Sequence, residues 1–263
     1  MYSRKDYIMQ IKVQSGLEVE IKPLNGAMVS KFLESKESEI LSSLVKLLDS
    51  ATEKIINSGE YTNLDSESFT WRQVYDGDGF DALLQMRAKT FRTPTFDIDY
   101  WCQHCNTKHS YEFNLLTENR ASITEKLKQV IRDGVEEIRI LIPEEDKEFF
   151  NFESITLRIP TLNTTIMQDT SNKMKTFSCD EAKILCNRII HIEGMEDKAL
   201  TNYLNHVDAF IQSYLIEFID DNSWGVDFEI VTDCSNPRCK RETSFGLAFN
   251  KYFFQRPKRK KKK

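Results

Sequence analysis

The chain has 263 residues, 40% of them apolar, which is enough to bury a real core in one large domain or two modest ones. Its net charge of −5 is unevenly placed: Arg256, Lys258, Arg259 and Lys260–Lys263 put seven positive charges in the last eight residues, and the 36 Lys and Arg less these seven leave 29 against 41 Asp and Glu. Such an acidic body repels a phosphate backbone, and no apolar run approaches the ~18 residues of a membrane span.

The opening residues, Met1–Tyr7, have no apolar stretch of the kind a secretion signal needs, so the thiols are expected to stay reduced. Residues 7–24 then alternate, with Ile11, Val13, Leu17, Val19 and Ile21 around a Ser15-Gly16 turn, which predicts a β-hairpin ended by Pro23. Ser38–Ile56 has helical spacing: Ile40, Leu41, Leu44, Val45, Leu48, Ala51 and Ile55 share a face, and Gly59 stands where a C-terminal glycine belongs. A polar loop covers Tyr61–Ser68. Asp76-Gly77-Asp78-Gly79 predicts a helix through about Thr90, with Asp78 as N-cap and Phe80, Leu83, Leu84 and Ala88 as its buried stripe. The same four residues open like a calcium loop but lack its later ligands and closing glutamate, so they are read as turn and cap.

Pro94 leads into a first hairpin. Ser122–Asp133 predicts a helix with Gly134 beyond it, followed by a strand over Glu136–Ile142 and another from Ile155 to Pro160. The aromatics Phe149, Phe150 and Phe152 are read as core. Ser178 starts a helix burying Ala182, Leu185, Cys186, Ile189 and Ile190. Cys179 and Cys186, two turns apart, are read as buried inert thiols. From Met195 the longest amphipathic run, Leu200 to Ile219, predicts one helix to about Asp220 with its wide stripe packed in the core, a partner face being the alternative reading.

Four of the six cysteines carry the chemistry. Cys102 and Cys105 stand between alternating strands within Asp97–Phe113, and Cys234 and Cys239 stand between alternating strands within Val226–Phe249. Thiolate pairs on tight β-turns present two sulfurs to one side, and two such knuckles complete a closed tetrahedral zinc site. The expectation is one structural zinc per chain held by Cys102, Cys105, Cys234 and Cys239. Two pairs of reduced thiols without metal, and mixed sites using His104 or His109, are the competing readings; either histidine is expected on the knuckle surface. A site closed by four thiolates leaves no position for water or substrate.

No catalytic pattern stands beside it. The chain has no glycine-rich phosphate loop, His-Glu-x-x-His or Gly-x-Ser-x-Gly. The acids Glu144, Glu145 and Asp146 read as a solvated loop, and His191 as a partly buried, satisfied histidine. A cysteine nucleophile would need Cys179 or Cys186 with His191 or His206, and no spacing compels either pair. The expectation is no catalytic residue, no bound organic cofactor and no enzyme activity.

The order of elements resembles the baseplate hub and hub-assembly proteins of T-even-type contractile-tailed phages. The matching pieces are the opening hairpin, the Phe80–Arg92 helix feeding Phe96–Phe113 with its Cys102-x-x-Cys105, and the strand from Leu157 to Leu162. Ile190-His-Ile-Glu-Gly-Met-Glu-Asp-Lys, a long helix, the strand from Trp224 to Ile230, the second cysteine pair and Phe253-Phe254-Gln-Arg-Pro continue the match. It covers roughly residues 7–257. The four-residue spacing between Cys234 and Cys239 departs from the family's usual two. The resemblance implies a virion-assembly protein, either a hub subunit or an assembly factor, working in the host cytoplasm or the tail baseplate through contacts with other hub or tail proteins.

The expected fold is α+β, helices mixed with β-hairpins, the two cysteine-knuckle hairpins forming a zinc-ribbon-like module. The expected segments are 1–92, hairpin and helices; 93–116, first cysteine hairpin; 117–224, an α/β insertion with the long helix; 225–257, second cysteine hairpin packing on the first; and 258–263, a basic disordered tail. The alternative function is a zinc-ribbon nucleic-acid-binding protein. The lysine tail favours it, while the acidic body and the few basic residues at the knuckles (Lys108, Lys240, Arg241) oppose it.

Overall fold

The structure is a computed structural model describing residues 8–172, 176–247 and 251–254; the basic tail from Arg256 to Lys263 lies outside them. The architecture is mixed α+β, with eight α-helices and several small antiparallel sheets among the described residues. The chain divides into two compact units, one of residues 1–59, 77–122 and 225–263, the other of 60–76 and 123–224. No helix among the described residues is long and apolar enough to cross a membrane.

The first unit opens with the hairpin that alternation predicts. β1 (Met9–Lys12) pairs antiparallel with β2 (Glu18–Ile21), and Ile11, Val13, Leu17, Val19 and Ile21 are all buried. α1 (Gly26–Leu33) was not anticipated; the side chain of Asn25 accepts from the Met28 amide and caps it. α2 (Ile40–Ala51) buries the expected Ile40, Leu44, Val45 and Leu48 but ends before Ile56. At Thr52 the hydroxyl donates to the Leu48 carbonyl, and β3 (Thr52–Asn57) runs on as a strand paired with β2. The helical period continued through a segment whose β-branched Thr52, Ile55 and Ile56 suit a strand better. Gly59 therefore closes a strand, not a helix. A Cβ there would lie 2.3 Å from the Gly16 carbonyl carbon, so only glycine permits this approach.

α3 (Asp76–Phe91) crosses the interior of the first unit from Gly77 onward. It begins at Asp76, so Asp78 is inside the helix and not its N-cap; fully buried, Asp78 accepts from the Ser15 amide at 3.4 Å. Leu83, Leu84 and Ala88 are buried as expected and Phe80 is half-buried, but Ala82, Met86, Asp81 and Arg87 are buried too. A helix enclosed nearly all round shows no single stripe. Its charges are answered locally. Asp81 forms an ion pair with Arg120, while the Arg87 Nε donates to the Phe253 carbonyl and its guanidinium lies 4.4 Å from the Phe96 ring centroid. Burial lowers the Arg87 pKa to about 10, against the pull of Asp97.

In the second unit, α4 (Glu125–Asp133) has the ends the sequence implies: the Thr124 side chain accepts from the Leu127 amide, and Gly134 is left-handed with φ 65°. β7 (Glu137–Leu141), β8 (Ser154–Arg158) and β9 (Ile189–Ile192) form an antiparallel sheet in that order. α5 (Leu162–Asn172) follows β8 unanticipated, and α6 (Asp180–Arg188) precedes β9. The run from Met195 to Asp220 is two helices, α7 (Asp197–His206) and α8 (Ala209–Asp221). Asp208 breaks it, its carboxylate accepting from the Phe210 and Ile211 amides as the cap of α8. α6 packs against both. The expected core stripe is also only partly core: Leu200, Leu204, Leu215 and Ile219 are buried, yet Phe210 is 59% exposed.

Candidate metal centre

Two hairpins of the first unit carry the four cysteines. β4 (Thr95–Trp101) pairs with β5 (Lys108–Asn114) down to Trp101 opposite Lys108, leaving Cys102–Thr107 as the tip. The Cys102 amide donates to the Thr107 carbonyl at 3.1 Å and the Asn106 amide to the Cys102 carbonyl at 2.9 Å. Asn106, just after Cys105, is left-handed with φ 51°, which turns the second sulfur back toward the first.

β11 (Glu229–Asp233) pairs with β12 (Glu242–Gly246), leaving Cys234–Arg241 as the longer tip. Here the Cys234 amide donates to the Arg241 carbonyl at 2.9 Å, and the Lys240 amide donates to the Asn236 carbonyl at 3.2 Å. Lys240, just after Cys239, is left-handed with φ 48°. Both tips thus end in the same turn, a cysteine followed by a left-handed residue whose amide reaches back four positions. The second tip is two residues longer because its turn starts at Asn236, two positions after Cys234, where the first starts at Cys102 itself. The Asn236 side chain fixes that start by accepting from the Arg238 amide at 3.1 Å. β10 (Gly225–Val226), pairing with β6 (Arg120–Ala121), leads into this hairpin, and a Cβ on Gly225 would lie 2.6 Å from the Gly77 Cα.

The hairpins remain two separate sheets joined through side chains. Tyr100 and Phe245 stack at 4.0 Å between ring centroids, and the His104 Nε2 contacts the Glu242 carbonyl at 2.9 Å. The Cys102 and Cys239 sulfurs are then 3.9 Å apart and those of Cys105 and Cys234 3.7 Å apart. All four Sγ atoms lie within 4.8 Å of one another, a group able to hold a metal ion, and the six cysteines are free of disulfides. Cys102 and Cys234 are buried; Cys105 and Cys239 are half-buried.

The protein surroundings do not treat the four thiols alike. The Thr107 side chain, with His109 assisting, draws the Cys105 thiol down to about 5, while burial pushes the Cys234 thiol up to about 12. For Cys102 burial opposes ionisation, yet the amides of Cys105 and His104 leave its pKa below the ordinary value.

Neither knuckle histidine is among the four-sulfur set. His104 is exposed, held on its carbonyl. His109 is half-buried, with Nε2 3.3 Å from the Cys234 Sγ and Nδ1 2.7 Å from the Ser235 Oγ. A Ser235 hydroxyl donating to Nδ1 leaves Nε2–H to donate to the sulfur, so His109 backs the Cys234 sulfur. The sequence carried a signal for this: β5 alternation puts His109 on the same face as Tyr111 and Phe113.

The residues of the cysteine-nucleophile alternative are engaged elsewhere. Cys179 is exposed, not buried, and caps α6 by accepting from the Ala182 amide at 3.4 Å; its sulfur also receives the Gln212 side-chain amide at 3.3 Å. The Cys186 thiol points to the Thr201 carbonyl at 3.9 Å. His191 is exposed rather than partly buried and lies 3.5 Å from Asp197, while the His206 Nδ1 contacts the Asn202 carbonyl at 2.8 Å.

A family described as "T4 bacteriophage base plate protein" has a model that matches residues 5–255 of the chain. Neither a comparison with curated proteins nor one with solved structures found a match.

Proposed function

The chain belongs to the T4 bacteriophage base plate protein family, and on that basis we propose that it is a non-enzymatic baseplate hub protein or hub-assembly factor that acts in tail assembly through contacts with other hub or tail proteins. Family membership over nearly the whole chain is the observation that carries this reading. Its places of action are the host cytoplasm during assembly and the tail baseplate of the virion.

The same proposal gives the four cysteines one structural zinc. Sulfurs each about 2.3 Å from a tetrahedral zinc stand roughly 3.8 Å apart, and the 3.9 and 3.7 Å separations across the hairpins support that fit. A cation of this charge would hold all four sulfurs as thiolates. Four protein ligands leave no open position, so the ion's part is to staple two distant hairpins.

A nucleic-acid reading has one observation in its favour, the 60% exposed Trp101 beside Cys102. Its opposite residue Lys108 is paired with Asp99 at 2.8 Å, which sets an acid beside a cation that a phosphate contact would use. Deleting the chain from its phage is expected to block baseplate completion, and mass spectrometry of purified particles separates hub subunit from transient factor. Normal baseplates without the chain would refute the assembly reading.

A further inference from the structure

The second unit carries an aromatic surface that the metal centre does not use. Along α8, Phe210, Tyr214 and Phe218 recur every fourth residue and so share one face. Tyr214 lies 5.9 Å from Phe218 and 4.7 Å from Phe150 between ring centroids, and Phe210 meets Phe149 edge-on at 5.5 Å. Phe150 and Phe152 are buried beneath, but Phe149 is 49% and Phe210 59% exposed. Two adjoining phenyl rings so open to water, continuous with a packed aromatic row, are an interaction surface rather than scattered exposure.

The rim of this row is acidic. The loop before Phe149 contains Glu144, Glu145, Asp146 and Glu148 against Lys147, which is paired with Glu144 at 2.6 Å. On α8, Glu217 and Asp221 fall on the side of the strip, and the helix carries no basic residue. The Tyr214 hydroxyl donates to Asp146 at 2.7 Å. Burial, then Asp146, Glu145 and Glu217, push the Tyr214 phenol above its ordinary range.

That charge selects among occupants. A second copy of the same face would bring acid against acid. The chain's own tail from Arg256 has the charge but no apolar anchor, because the preceding Phe253 and Phe254 are buried in the first unit.

We propose that the strip formed by Phe149, Phe210, Tyr214 and Phe218 docks a cationic amphipathic helix of another protein, its apolar side chains covering the rings and its lysines and arginines meeting the acidic rim. This rests on the assembly reading and names the chemistry of one partner.

The test titrates the full-length chain into a labelled Leu/Lys amphipathic peptide, its scrambled isomer of equal charge, and a Leu/Glu counterpart. The Leu/Lys helix should bind about tenfold tighter than the isomer, and the Leu/Glu peptide should not bind. Phe149→Gln, Phe210→Gln and the double substitution Glu145→Lys/Glu217→Lys should each weaken binding about fivefold or more. All four positions are exposed, so the melting temperature should hold. Equal binding of the isomer, or binding indifferent to Phe210→Gln, overturns the proposal. Self-association of the full chain that Phe210→Gln abolishes also overturns it, by giving the strip to a second copy. In the phage, Phe149→Gln/Phe210→Gln should reduce baseplate yield. Normal yield with this variant, when deleting the whole chain blocks assembly, contradicts the docking proposal alone; normal yield after deletion contradicts the assembly reading.

Discussion

In the first unit, segments from the start, middle and end of the chain converge, and two hairpin tips bring four sulfurs within 4.8 Å of one another. The second unit is nearly one continuous run of chain, and its sheet of β7, β8 and β9 and its helices bury Ile155, Leu157, Leu185 and Leu215. Hairpins that form separate sheets, across a long stretch of intervening sequence, carry a large closure cost that local burial must offset. A metal staple would serve that need; an amphipathic helix pair on a contiguous chain has no such need. The contrast implies that the two units should respond oppositely to metal removal and to core truncation.

The largest expected effect is on the first unit alone. Cys102→Ser or Cys234→Ser, or a strong zinc chelator, should release the hairpins, because binding free energies of about 10–16 kcal/mol in structural zinc sites are folding free energy. Hydrogen exchange read by segment should show lost protection across β4, β5, β11 and β12, with β8 and α6 unchanged. Equal loss in both units would erase the distinction.

Next come substitutions inside each unit. Arg120→Ala leaves the buried Asp81 carboxylate without its ion-pair partner and should cost about 3–5 kcal/mol in chemical denaturation. Leu215→Ala, at a fully buried position of α8, should cost about 2–5 kcal/mol while leaving metal content at the wild-type level.

Two smaller effects sharpen the comparison. His109→Gln removes the ring behind Cys234 and should weaken metal affinity about 10–100-fold in competition with a chromophoric chelator, without changing stoichiometry. Thr124→Ala removes the cap of α4 and should cost the second unit about 1 kcal/mol, with no change in metal affinity.

These effects also mark what the sequence could convey. The cysteine hairpins were legible because each pair interrupts an alternating run, so both strands and the side of the sulfurs follow from period two. The longer second tip was the point of doubt, and the structure absorbs it in the Asn236 turn. The α2–β3 boundary was not legible, because the apolar spacing of α2 runs on through Ile55 while only Thr52 and its β-branched neighbours mark the change. The single helix read from Met195 failed at Asp208, a capping residue that fits the helical period as readily as it ends it. α3 hid its character for another reason: a helix buried all round has no stripe, and its Asp81 and Arg87 look like solvent positions until their partners from Arg120 and Phe253 are in place. The exposed Phe149 and Phe210 read as core because composition cannot tell a buried ring from one left for a partner.

The central claim is that one metal ion joins the two cysteine hairpins. Its most direct test is metal content per chain on purified, tag-free, full-length protein, measured beside the number of reactive thiols. The account predicts about one zinc per chain, with Cys102, Cys105, Cys234 and Cys239 protected from alkylation and Cys179 open to it. Absence of zinc, with all six cysteines reacting freely, would contradict it.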